Sequence, residues 1–114
     1  MKQVILIRED IDISRGKAVS QGAHVSVLAT QNAEDDAVHN WISHSAGTKI
    51  TLRVNSEEQL RDLISNANDL DLPTSIVSDL GRTEIESGTT TAGAIGPAQE
   101  DDIDEVTGHL SLYK

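Results

Sequence analysis

A chain of 114 residues has room for one domain, 1–114, built on a single core. It has no cysteine, which excludes a thiol nucleophile, a thiolate metal site and disulfides; with no Phe, one Trp and one Tyr, the core falls to Val, Ile, Leu and Ala. Nineteen acidic residues against nine basic ones give a net charge of −10, which taken alone argues against a nucleic-acid partner held by phosphate neutralisation. The acidity is dispersed over Glu9-Asp10, Glu34-Asp35-Asp36, Glu57-Glu58, Asp69 with Asp71, and Glu100-Asp101-Asp102, not gathered in a tail. That distribution suits a high-salt cytoplasm, where charges are screened over about 3 Å. Val4 to Ile7 is too short for a membrane span or a signal core, so a cytoplasmic protein with no membrane partner is expected.

Lys2 to Arg8 reads as a strand covered on both faces, because Val4, Ile5, Leu6 and Ile7 are continuous, not alternating. After a loop from Glu9 to Ile13, a helix is predicted from about Gly16 to about Thr30. Its Ala18, Gly22, Val25 and Ala29 recur at i, i+4, i+7 and i+11 and suit close packing on a sheet. A second helix opens at Asn32 or Ala33, carries Val38, Trp41 and Ile42 as its inner stripe, and closes near Gly47. Thr48 to Val54 alternates as a strand. Asn55 or Ser56 caps a third helix bearing Leu60, Leu63, Ile64 and Ala67. Thr74 to Ser78 and Thr89 to Ile95 are strands, the second bounded by Gly88 and by Gly96-Pro97, and a last acidic helix stops at Gly108. The order β-α-α-β-α-β-β-α predicts an α/β three-layer sandwich, a small mixed four-stranded sheet with helices on both faces.

The chemistry concentrates in Ser14 to His24. Lys17, Gln21 and His24 stand at i, i+4 and i+7 and share one helical face. Lys17 opposes the positive end of the helix dipole, and with Arg15 and the first backbone amides it would seat a phosphate or a developing oxyanion. The competing reading is a solvated lysine beside a buried, hydrogen-bonded histidine. Asp79 leaves the third strand and reads either as a turn residue before Gly81 or as a partner of Lys17, with Thr89 or Thr91 supplying a hydroxyl. His39 and His44 are five apart, not the four of a helical zinc pair, and no phosphate-binding or dinucleotide loop is present. Gly93-Ala94-Ile95-Gly96 reads better as close packing within a strand. Catalysis, if present, uses activated water.

Five ordered blocks, MKQVILIRED, RGKAVSQGAH, LPTSIVSDLGRTEI, GTTTAGAIGP and VTGHLSLYK, together resemble the archaeal and eukaryotic type of peptidyl-tRNA hydrolase, which is unrelated in fold to the bacterial enzyme. The resemblance implies hydrolysis of the ester joining a peptide to the 3′ ribose of tRNA, with peptidyl-tRNA as substrate, no metal or other cofactor, and a homodimer; with the dispersed acidity, the expected source is a halophilic archaeon. It places Lys17, Asp79 and Thr91 on the family's proposed catalytic positions, and Gln21 and His24 on its AQxAH-like helix motif, which here reads SQGAH. Ala92 stands where the family often has cysteine, a packing change. Arg8, Arg15, Lys49 and Arg82 are candidate contacts to the tRNA backbone, or ordinary surface cations. The alternative is a non-catalytic module of the same fold that binds tRNA, a nucleotide or a protein.

Overall fold

The computed structural model describes residues 1–78 and 88–114. Strand β1 (Lys2–Arg8) is buried at all seven positions, as its continuous apolar run requires. It is followed by α1 (Arg15–Gln31), α2 (Asp35–Ser45), β2 (Lys49–Val54), α3 (Glu57–Asp69), β3 (Thr74–Ser78), β4 (Thr90–Ala98) and α4 (Glu100–Thr107), in the predicted order.

The strands lie in the order β2-β1-β4-β3. The β1–β2 pair is parallel, and β4 runs antiparallel to both β1 and β3, so the sheet is mixed. These directions decide where function can sit. The C-terminal ends of β1, β2 and β3 and the N-terminal end of β4 share one end of the sheet, and α1 and α3 begin there.

Alternate residues of the strands feed two cores. On one face Val4, Leu6, Leu52, Val54 and Ile95 meet Leu60, Leu63, Ile64 and Ala67 of α3 and Ile103 and Val106 of α4. On the other, Ile5, Ile7, Val77, Ala92 and Ala94 meet Ala18, Val25 and Ala29 of α1. Burial of each large aliphatic side chain is worth about 1.5–3 kcal/mol, so the three layers hold together through these two faces. The small-residue stripe of α1 is buried at all four predicted positions.

Two boundaries differ from expectation, and at a third the structure chooses between the two expected caps. Helix α2 starts at Asp35 with Glu34 as its N-cap, and its buried side chain is Trp41, while Ile42 is 57% exposed and leaves the stripe. Ser56, not Asn55, caps α3, its hydroxyl accepting from the Gln59 amide. Strand β4 does not end at Ile95 but continues through Gly96 and Pro97 to Ala98. A register shift between Lys2 and Val4 absorbs the proline, and the Gly96 amide donates to the Pro73 carbonyl at 2.8 Å. Gly96 has φ 104°, and a Cβ there would stand 2.7 Å from the Lys2 carbonyl oxygen, so glycine is required on both counts.

The chain's last residues cover an edge. The Arg53 amide donates to Ser111 O and the Tyr113 amide to Thr51 O, both at 3.0 Å, so the tail lies along β2 and occupies its outer ladder groups.

Candidate active site

Ser14 sets the start of α1. Its backbone is extended and its hydroxyl accepts from the Lys17 amide at 3.2 Å, which starts the helix one residue earlier than the sequence suggests. One of the first-turn amides expected to seat an anion is therefore already taken. No acidic residue occupies this first turn, so Arg15 and Lys17 meet the helix dipole without a local carboxylate on α1.

Lys17 and Gln21 are half-buried and His24 is exposed, which removes the reading of His24 as a core histidine. At roughly 100° per residue, the Lys17-Gln21-His24 row lies on one flank of the buried stripe, and Arg15, Val19 and Ala23 lie on the other. This second flank borders a groove of about 680 Å³ lined by Ile5, Ile7, Ala18, Gly22 and Tyr113. Helix α1 thus separates a polar surface from an apolar one.

Thr91 is wholly buried near the N-terminal end of β4, at the sheet end where α1 begins. Val77 pairs with Ala92 and Ser78 with Thr90, so one step on β3 spans two on β4 and Thr91 is the extra residue of a β-bulge. Its Oγ1 has no hydrogen-bond partner among the described residues. A buried hydroxyl without a partner costs about 1–3 kcal/mol, so such a position calls for an explanation beyond packing. Ser78, the last residue of β3, lies beside Thr90, so β3 ends at this same place. Asp79 and Arg82 lie outside the described residues.

Of the proposed tRNA contacts, Arg8 stands at this sheet end with its guanidinium turned to partners within the protein, and Lys49 lies at the other end. Arg8 is buried: Nε and Nη2 donate to the two carboxylate oxygens of Asp10 at 2.9 and 2.7 Å, Nη1 donates to the Thr90 carbonyl at 2.9 Å, and Glu57 stands 3.6 Å away. Its guanidinium is engaged within the protein, and a contact to RNA would have to compete with these bonds. The Asp10 hydrogen bond holds the Arg8 guanidinium above its ordinary pKa, and the reciprocal bond from Arg8 holds the Asp10 carboxyl below the usual carboxylate range. Lys49 pairs in register with Gln3, at the opposite end of the sheet, and its ammonium lies 4.8 Å from the centre of the Trp41 ring. Arg15 remains at the first turn of α1, exposed.

The sequence reading passed over the groups that tie this end together. Arg61 donates through Nε to Glu57 at 3.2 Å and through Nη2 to Thr90 Oγ1 at 2.7 Å, and Thr90 Oγ1 lies 3.2 Å from Ser78 Oγ. Glu57 and Arg61 stand at i, i+4 on α3, a spacing visible in the sequence; their reach to β4 is not.

One end of the sheet thus carries the start of α1 with Lys17, the bulged Thr91 and the end of β3, in an α/β protein with helices on both faces of a mixed sheet. The family profile described as Peptidyl-tRNA hydrolase PTH2 matches residues 1–113. A peptidyl-tRNA hydrolase of Halobacterium salinarum is 45% identical over 113 residues, covering 99% of this chain and 100% of its own. One from Methanocaldococcus jannaschii is 42% identical over 115 residues, covering 98% and 99%. A probable peptidyl-tRNA hydrolase 2 of Dictyostelium discoideum is 41% identical over 115 residues, covering 98% of this chain and 54% of the longer relative. The chain belongs to the PTH2 family of peptidyl-tRNA hydrolases and is a hydrolase. No helix among the described residues is long and apolar enough to cross a membrane.

Proposed function

We propose that this chain, as one domain over its whole length, hydrolyses the ester between a peptide and the 3′ ribose of tRNA, with Lys17, Asp79 and Thr91 as catalytic residues. The full-length family match carries the reaction, and the convergence of α1, the β4 bulge and the end of β3 at one sheet end supports the site. Asp79 takes a proton from water as the oxygen attacks the ester carbonyl. Lys17 stabilises the tetrahedral oxyanion, a form of electrostatic help that often supplies the largest share of acyl-transfer catalysis. Thr91 holds the ester or the attacking water through its hydroxyl. Collapse breaks the bond to the ribose 3′ oxygen, which takes the proton back from Asp79, leaving tRNA with a free 3′ hydroxyl and a peptide carboxylic acid that ionises to solvent. His24 and Gln21 extend the polar row along α1 and orient the substrate's end.

Contacts to the tRNA backbone fall to Arg15 and Arg82. With few cations available, affinity rests on hydrogen bonds more than on counterion release. The dispersed acidity and the Halobacterium relative support a high-salt cytoplasm, and the exposed Val19, which lines the apolar groove, with the exposed Val27 further along α1, supports a homodimer.

The test is release of the N-blocked aminoacyl group from its tRNA in molar potassium chloride. Turnover by the wild type, lowered about 100-fold or more in both Lys17→Ala and Asp79→Ala with the fold intact, is the expected result. A folded wild type without turnover at any salt concentration overturns the reading in favour of a binding module.

A further inference from the structure

Thr90 is gripped at two atoms by two cations. The Arg8 guanidinium donates to its carbonyl at 2.9 Å, and the Arg61 guanidinium donates to its hydroxyl at 2.7 Å. Glu57 stands between the two guanidiniums, 3.6 Å from Arg8 Nη1 and 3.2 Å from Arg61 Nε, and Asp10 holds Arg8 from the far side with two bonds. The chain Asp10–Arg8–Glu57–Arg61 thus spans from the end of β1 to the first turns of α3 and closes on one residue of β4. That residue immediately precedes Thr91, the bulge residue whose buried hydroxyl has no partner among the described residues.

The arrangement is oversized for a structural job. On the β3 side the bulge leaves its extra residue outside the ladder, so pairing with β3 does not fix where Thr91 points. The adjoining Thr90 peptide, held by Arg8 and Arg61, bears directly on it; Arg8 and Thr90 are buried while the Arg61 side chain is 55% exposed. A half-exposed arginine tied to a surface glutamate is worth little to stability. Its second bond, to a buried hydroxyl at a strand bulge, is the one with consequences.

We propose that Arg61 is a positioning residue for the hydrolysis: through Thr90 it sets the bulge that presents the Thr91 hydroxyl to the ester or the attacking water. This rests on the reading of Thr91 as a catalytic residue. Arg61 touches no reacting atom. Its effect falls on kcat, because a small displacement of a reacting group can cost up to about 100-fold in rate without weakening binding.

The experiment is steady-state hydrolysis of an N-blocked aminoacyl-tRNA by the full chain in molar potassium chloride, with melting followed by circular dichroism. Arg61→Ala is expected to lower kcat about 10–100-fold with KM within about twofold. Thr90→Val, which removes the accepting hydroxyl and keeps the shape, lowers it equally, and the double variant falls no further. Arg61→Lys, still able to donate one bond, recovers most of the rate. In a Thr91→Val background, Arg61→Ala adds nothing. If Thr91→Val lowers kcat while Arg61→Ala and Thr90→Val do not, or if both lower only the melting temperature, the positioning role is overturned and the Thr91 reading stands. If Thr91→Val itself turns over like the wild type, the Thr91 reading fails and the inference with it.

Discussion

Gln3 and Ser26 are 23 positions apart and bonded in both directions: the Ser26 hydroxyl donates to Gln3 Oε1, and Gln3 Nε2 donates to the Ser26 carbonyl at 3.2 Å. The same amide nitrogen is 3.1 Å from both Thr30 Oγ1 and the Gly96 carbonyl. One wholly buried polar side chain on β1 therefore ties α1 to β4. Gln3→Met keeps the volume and strands the Ser26 hydroxyl and the Gly96 carbonyl, at about 1–3 kcal/mol each. The expected loss is about 3 kcal/mol, read as a drop in urea midpoint at constant salt without a change in slope. A midpoint equal to the wild type's would mean that the network contributes nothing.

Gly93 and Gly22 look alike in sequence and differ in what surrounds them. A Cβ on Gly93 would lie 2.9 Å from the Ser75 carbonyl oxygen and 3.1 and 3.2 Å from the Cδ1 atoms of Ile64 and Leu60; the first is backbone and cannot yield. A Cβ on Gly22 would meet Ile5 at 3.5 Å, an ordinary contact, inside a helix where alanine is favoured over glycine by about 1 kcal/mol. Gly93→Ala is expected to destabilise by about 2 kcal/mol or more, and Gly22→Ala to be neutral or stabilising by up to about 1 kcal/mol. Thermal melts of the two variants beside the wild type decide both.

These positions show what the sequence disclosed and what it withheld. The element order and the α1 stripe of Ala18, Gly22, Val25 and Ala29 followed from periodicity, which is local, and the mixed sheet from the lack of a crossover helix between the third and fourth strands. The family blocks reached Lys17 and Thr91 by resemblance. Long-range partners are not local, so Arg8 looked like a surface cation until β4 brought the Thr90 carbonyl to it, and Lys49 looked available until the β1–β2 register carried it to the far end of the sheet. The bulge that isolates Thr91 depends on how β3 and β4 pair, which neither strand's residues declare alone.

The Arg8–Asp10 pair gives an acid limb of known sign. The bond from Arg8 lowers the Asp10 pKa in the folded chain from its ordinary 3.8. Such a group adds stability above its unfolded pKa and loses it as pH falls through its folded pKa. The stability difference between wild type and Asp10→Asn should be constant above about pH 5 and shrink toward zero below the ordinary carboxylate value. Urea titrations of both proteins from pH 7 down to pH 3 test this; a difference that does not vary with pH would remove the charge-assisted bond as its cause.

Val19 and Val27 are 68% and 56% exposed and stand two turns apart on α1, with Ala23 between them. If this row meets a second copy in the proposed homodimer, Val19→Asp should convert the dimer mass to the monomer mass in light scattering, because a buried unpaired carboxylate at the contact costs several kcal/mol. The melting temperature of the isolated monomer should be unaffected, since the side chain already faces water. A wild type that is monomeric at high concentration and high salt would end the dimer proposal outright.

A net charge of −10 spread over so short a chain makes low salt hostile to the folded state. The screening length falls from about 10 Å at 0.1 M to about 3 Å at 1 M, so repulsion between neighbouring acidic clusters fades across that range and little remains to be gained above it. The melting temperature should therefore climb steeply with potassium chloride up to about 1 M and then flatten, by roughly 10 °C in total if a few kcal/mol of repulsion are relieved. Replacing Glu34, Asp35 and Asp36 by Gln, Asn and Asn separates screening from salt exclusion. The triple variant should melt higher than the wild type at 0.1 M, less some loss of the favourable charge at the α2 N-terminus, and should rise less with added salt. A wild-type melting temperature that is flat from 0.1 to 3 M would mean the dispersed acidity is not a salt adaptation; a continued linear rise beyond 1 M, shared equally by the variant, would assign the effect to exclusion of salt from the protein surface instead of to charge.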